Sequence, residues 1–129
     1  MRQSLSAVAL VVPDYDAALD FYVGTLGFDL IEDTVLSEEK RWVLVAPPGG
    51  GGCRLLLARA ADEAQAKAIG NQTGGRVFLL LDTDDCARDV AAWAEAGVGF
   101  EGPIRDEPYG KVAVFRDPFG TRWDLIEPA

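Results

Sequence analysis

The stretch DPFGTRWDLIEPA, residues 117–129, places an acid, Asp124, between Trp123 and Leu125 where an alternating strand calls for apolar neighbours. A carboxylate in such a place can ligate a metal ion, take a proton as a general base, or pair with a cation. Strand alternation puts Arg122, Asp124 and Ile126 on one face and Trp123 and Leu125 on the other. The indole and the leucine would pack on a helix, so the Arg/Asp face is the one free for chemistry. The chain has no histidine. That excludes a Ser-His-Asp triad, a Cys-His pair, an HExxH zinc site and any imidazole proton shuttle. Ser4, Ser6 and Ser37 have no base to activate them, and Cys53 and Cys86 lack CxxC spacing and read as reduced structural thiols. Glu127 falls on the opposite parity from Asp124 and reads as a solvated strand end.

The elements that must position these groups belong to one domain, since 129 residues suffice for one proper core and not for two. Twelve basic and 21 acidic residues leave a formal charge of -9, which repels nucleic acid and anionic lipid. It suits a cationic small molecule, beside the plainer reading that an acidic surface aids solubility. No apolar run approaches the roughly 20 residues of a membrane span. The N-terminal MRQSLSAVALVVPDYD is apolar only from Ala7 to Val12, too short for a signal-peptide core, and a cytoplasmic location is expected.

The chain repeats itself. Residues 7–30, AVALVVPDYDAALDFYVGTLGFDL, and 76–100, RVFLLLDTDDCARDVAAWAEAGVGF, each run from an apolar strand through an Asp-rich corner into a helix, a glycine and another strand. Matching Ala18 to Ala87 and Asp20 to Asp89 sets an offset of 69 residues, with Gly27 then pairing with Gly97 after one extra residue in the second half. The first helix should bury Ala17, Ala18, Phe21 and Tyr22 under a cap from Asp14 or Asp16. The second should bury Val90, Ala91, Trp93 and Ala94 under a cap from Thr83 or Asp84. Strands are expected at 28–35, 40–46 and 53–59, and again at 98–104, 111–116 and 121–127. PPGGGG at 47–52 reads as a hairpin loop, DPFG at 117–120 as a tight turn, and 60–75 as a linker with a short helix ending near Gly70. Module one then spans about 1–59 and module two about 76–129, each β-α-β-β-β, in an α+β fold.

VVPDYDAALDFYVGTLGFDL and YGKVAVFRDPFGTRWDLIEP, in this arrangement, resemble the vicinal oxygen chelate superfamily, which includes glyoxalase I, bleomycin-resistance proteins and extradiol dioxygenases. The resemblance spans nearly the whole chain. It implies that the two tandem modules form a cup-shaped mixed sheet, often completed by dimerisation, and a homodimer is expected. In metal-dependent members four ligands come from the first and last strands of each module. Carried over with the offset of 69, these positions are Ala7, Leu55, Arg76 and Asp124, with Leu55 uncertain by one or two residues. One carboxylate beside a guanidinium cannot hold a catalytic divalent ion, so no metal and no cofactor are expected.

The family geometry implies that Arg76 and Asp124 lie within reach of each other. Two readings of that pair stand side by side: an ion pair filling the former ligand positions, or a polar fork presented to a ligand. Expected ligand contacts are Arg76, Asp124, Arg122 and Phe78, with Trp42 and Tyr109 as aromatic walls. The function expected is a metal-independent, glyoxalase/bleomycin-resistance-like protein that binds a small organic molecule in the cup. A lyase or isomerase of the glyoxalase kind, acting on a small metabolite, is the alternative. It would need Asp124 as a base, whose pKa a neighbouring arginine should depress. A module whose cup is filled by its own side chains is a third reading.

Overall fold

Leu10 and Val12 are completely buried, and they mark the core-facing side of the first strand, β1 (Ala7–Val12). The computed structural model describes residues 1–129, in two units, Met1–Ile69 and Gly70–Ala129. The first unit continues through α1 (Tyr15–Leu19), a π-helical turn (Asp20–Thr25), β2 (Asp29–Val35), β3 (Arg41–Ala46), β4 (Arg54–Arg59) and α2 (Glu63–Ala68). Its sheet has the order β1-β4-β3-β2, with β1 parallel to β4 and the other pairs antiparallel. Asp14 caps the first helix, its carboxylate accepting from the Ala17 N–H at 2.8 Å. Tyr15, Ala18, Phe21 and Tyr22 form the buried stripe; Tyr15 was not expected in it, and Ala17, which was, is only half-buried. The PPGGGG run links β3 to β4. The expected linker divides: α2 touches β1 and belongs to the first unit, while Gly70 onward belongs to the second.

The second unit contains β5 (Leu79–Asp82), α3 (Cys86–Glu95), β6 (Gly99–Phe100), β7 (Arg105–Glu107), β8 (Gly110–Arg116) and β9 (Arg122–Pro128). The sheet order is β5-β9-β8-β6, with β7 also on β8. Where a strand over 98–104 was expected, pairing stops after Phe100 and resumes at Arg105. The break falls at Gly102, which takes a φ of 91°, and at Pro103, which has no N–H for the ladder. Asp85, and neither Thr83 nor Asp84, caps α3 by accepting from the Arg88 N–H at 3.0 Å. Glu127 is no solvated strand end: its carboxylate accepts from the Cys86 N–H at 3.0 Å and satisfies a second free amide of the same helix. Cys86, Asp89, Val90 and Trp93 form the covered side of α3, at i, i+3, i+4 and i+7, and leave Ala91 and Ala94 exposed. Beneath them Phe115 stacks on Trp123 at 5.7 Å between ring centres and meets the edge of Trp93 at 5.4 Å.

The caps Asp14 and Asp85 are 71 residues apart, not 69. The exits of the two helices then change the offset by one residue, from 71 at the caps to 70 at Gly27 and Gly97. In the first unit the Phe28 N–H donates to the carbonyl of Tyr22, six residues back; in the second, Val98 N–H reaches Trp93, five back. The extra residue therefore lies in the first module, inside its π-helical turn, and not in the second. Partners on β1 and β4 are 47 residues apart (Val8 with Leu55) and those on β5 and β9 are 44 apart (Leu79 with Trp123), so the offset of 71 carried from the caps to the first strands becomes 68 in the last. Ala7 thus corresponds to Phe78, and Asp124 to Leu56.

Candidate functional site

In the first unit the start of β3 and the end of β4 meet residues 37–40 and 60–65 around a cleft of about 580 Å³. Trp42, 39% exposed, forms one wall, and Leu56, Ala58 and Tyr15 also line the cleft. Glu39, Lys40 and Arg59 also line the cleft. The expected aromatic wall at Trp42 therefore borders a cavity of ligand size.

Arg41 also lines this cleft, but its charge is already engaged. Its Nε and one terminal nitrogen grip both oxygens of Asp33 at 3.1 and 2.6 Å, and the other terminal nitrogen reaches Asp16 at 2.9 Å. The guanidinium carbon lies 5.1 Å from the Tyr15 ring centre, and the Arg41 N–H donates to the Tyr15 hydroxyl. The hydrogen bonds from Arg41 hold the Asp33 carboxyl below its usual range and push the guanidinium's own pKa up. One side chain thus ties β2, β3 and α1 together. Arg41→Lys keeps a charge but loses the fork, and it should lower stability by about 1 kcal/mol in urea unfolding, the scale of a partly exposed ion pair.

The second unit carries the other expected residues. Register sets Leu80 and Val114 on either side of Asp124, so these three share a face with Phe78 and Ile126, while Trp123 and Leu125 face α3. Val114 and Ile126 are buried, Asp124 is half-buried and Leu80 is 66% exposed. The expected Arg76–Asp124 pair does not form. Arg76 is exposed in the bend that follows the Asn71–Gly74 turn, ahead of β5. It lies four residues before Leu80, the residue opposite Asp124, a displacement of roughly 13 Å along a strand.

Arg122 is committed elsewhere. Two of its nitrogens donate to Glu101 at 2.9 and 3.1 Å and a third to the Gly75 carbonyl at 3.0 Å, so it fastens the loop before β5 to β9. Glu101 also accepts from Arg116 at 2.8 Å. Hydrogen bonding to Arg122, reinforced by the two positive charges, lowers the Glu101 pKa. Arg105 on β7 pairs with Glu107 at 3.1 Å, and the Tyr109 ring is exposed in the β7–β8 hairpin. Sequence reasoning missed Arg105 because it ended the preceding strand at residue 104; the turn-forming EPYG that follows was the available signal.

The Asp124 carboxylate has neither a hydrogen bond nor an ion pair. Burial pushes its carboxyl above the ordinary value, and the charges of Arg105 and Arg122 offset this only in part. This reverses the expected depression by a neighbouring arginine. The positions that correspond to the superfamily's metal ligands, corrected by the observed registers, are Ala7, Leu56, Phe78 and Asp124. One carboxylate and three hydrocarbon side chains do not fit a divalent ion, and no group of three Cys, Asp or Glu anywhere converges as ligands. No helix is long and apolar enough to cross a membrane.

Comparison with known proteins accords with this geometry. Residues 4–125 match the family model described as Glyoxalase/Bleomycin resistance protein/Dioxygenase superfamily. An uncharacterized protein of Shewanella frigidimarina is 55% identical over 128 residues, 98% of this chain and 95% of its own length. Among solved structures, TnmS3, an antibiotic binding protein from Streptomyces sp. CB03234, is 34% identical with a TM-score of 0.79, covering 99% of this chain and 98% of that one. UcmS2 is 28% identical with a TM-score of 0.85, covering 98% and 99%.

Proposed function

The chain belongs to the Glyoxalase/Bleomycin resistance protein/Dioxygenase superfamily, and on that premise we propose that it is a metal-independent member that binds a small, aromatic organic molecule without transforming it. The observation that carries this reading is the cleft beside Trp42, a cavity of about 580 Å³ with an accessible indole and hydrocarbon on its walls. Arg41 is neutralised from within, so stacking on Trp42 and apolar contact are joined only by the charges of Glu39, Lys40 and Arg59. The likeness to TnmS3, an antibiotic binding protein, supports the same conclusion. In the second unit Phe78, Asp124 and Tyr109 are the proposed ligand contacts, with Arg122 holding β9 and its neighbouring loop in place. Metal independence rests on the donor set. The protein would work in the cytoplasm as a homodimer, a state supported by the β2 edge, which is exposed along its whole length.

Calorimetric titration with a panel of polycyclic aromatic antibiotics tests the proposal. Dissociation constants in the micromolar range or tighter are expected, and Trp42→Ala should weaken them by about tenfold, the value of one aromatic stack. Absence of binding across the panel, or stoichiometric metal in the purified protein, would refute it. The second reading, a lyase or isomerase of the glyoxalase kind, draws on the burial that raises the Asp124 pKa toward that of a usable base. It would appear in the same samples as turnover that vanishes in Asp124→Asn.

A further inference from the structure

Asp124 is a carboxylate set into hydrocarbon. Leu80 and Val114 are its cross-strand neighbours, Phe78 and Ile126 its neighbours along the sheet, and no donor reaches its oxygens. The cations around it are held by other acids, although Arg105 and Arg122 still act on Asp124 through their charge. Arg105 is paired with Glu107, and Arg116 and Arg122 share Glu101. Asp82, the remaining acid on this face by register, is exposed at the end of β5 and solvated. Partial burial costs the charged form of this acid some of its hydration, and with no protein donor in reach its oxygens, which are not fully buried, depend on solvent. The cost is met when a ligand supplies the missing donor.

We infer that Asp124 is the anchor for a protonated amine carried on an otherwise apolar ligand, with the amine donating to the carboxylate and the apolar body lying against Phe78 and Leu80. This rests on the small-molecule reading above and narrows it to a chemical class. An amine suits the site better than a neutral donor, since a charge-assisted bond is shorter and roughly twice as strong. An anion is disfavoured at the same point.

Stability provides a readout that a structural role for Asp124 would not share. Its folded-state pKa is raised, so the folded chain holds that proton more tightly than the unfolded one. The resulting penalty is absent below the unfolded-state value, grows as the pH rises through the raised value, and is complete above it. Asp124→Asn should therefore keep or raise the thermal midpoint at pH 7. A structural acid would lower it.

The binding test uses two probes of one shape, 1-naphthylmethylamine and 1-naphthylmethanol, titrated into the full-length protein. The wild type should prefer the amine by about tenfold. Asp124→Asn should bring that ratio close to one, whereas Asp82→Asn should leave it as it was. Equal affinity of the wild type for both probes, or a preference that survives in Asp124→Asn, overturns the inference and leaves the small-molecule reading standing. Loss of the preference in Asp82→Asn as well assigns it to general surface charge and also overturns the inference. If the wild type binds neither probe nor any antibiotic of the panel, the small-molecule reading itself fails.

Discussion

Replacing Phe115 with alanine should remove roughly 3–5 kcal/mol of stability, a typical cost for deleting a fully buried aromatic side chain. The ring has no solvent exposure and lies on β8 where the α3 layer meets the sheet. It stacks on Trp123 with only 11° between planes, meets Trp93 edge-on and lies 6.0 Å from Phe100. Alanine would leave a void bounded by three rigid rings, none of which can collapse into it without leaving a favoured rotamer. Because a domain of this size has only about 5–15 kcal/mol in total, the variant should lose a large fraction of its stability. Guanidinium unfolding followed by tryptophan emission reads the effect directly, since two of the three indoles line the void. Phe115→Leu, which refills most of the volume, should lose under about 1.5 kcal/mol. A loss below that value in the alanine variant would show that the aromatic cluster is not the centre of this unit's core.

The second large effect is expected at Gly110, the first residue of β8. Its φ of 147° lies outside the range that side chains tolerate. A Cβ there would collide with the carbonyl oxygen of Glu127 and stand 3.0 Å from its carbon and 3.1 Å from the Pro128 Cα. All three are main-chain atoms of the neighbouring strand, so no side-chain rotation relieves the contact. Gly110→Ala should therefore cost roughly 2–5 kcal/mol, from unfavourable backbone torsion and from a pried-apart β8–β9 ladder. The site should suffer with the fold, because Glu127 caps α3 and Asp124 lies three residues earlier on the same strand. Amide exchange is the discriminating measurement. Protection should fall first along β9 and at the Cys86 amide, while the strands of the first unit keep theirs.

Local rules of the chain made much of this architecture legible in the sequence. The face shared by Arg122, Asp124 and Ile126 follows from a period of two, and five of the six expected strands stand within two residues of their expected ends. The Asp14 cap of the first helix and the DPFG turn were legible from local residue chemistry, whereas the cap of α3 lies one residue past the expected Asp84. In the DPFG turn the Asp117 carboxylate accepts from the N–H groups of Phe119 and Thr121, as an Asx turn requires. What escaped was counting across insertions. A π-helical turn adds a residue without any mark in composition, taking the offset from 71 at the caps to 70 at Gly27 and Gly97, and matching Ala18 with Ala87 at 69 put Arg76 where Phe78 stands. Partner choice among charges escaped too. Nothing in the local sequence says that Arg122 will reach Glu101, that Glu127 will cap a helix 41 residues earlier, or that Arg41 will bridge two strands and a helix.

The strand order of the second unit has a consequence for synthesis. β9 lies between β5 and β8, so the strand made last is inserted into the middle of the sheet. A nascent chain halted before residue 122 could complete its first unit, whose strands end at Arg59, yet its second would have β5 detached from β8 and the inner layer of α3 uncovered. The carboxylate proposed to meet the ligand thus appears only as that half closes, and a prematurely terminated product would be an aggregation hazard before it was ever a binding protein.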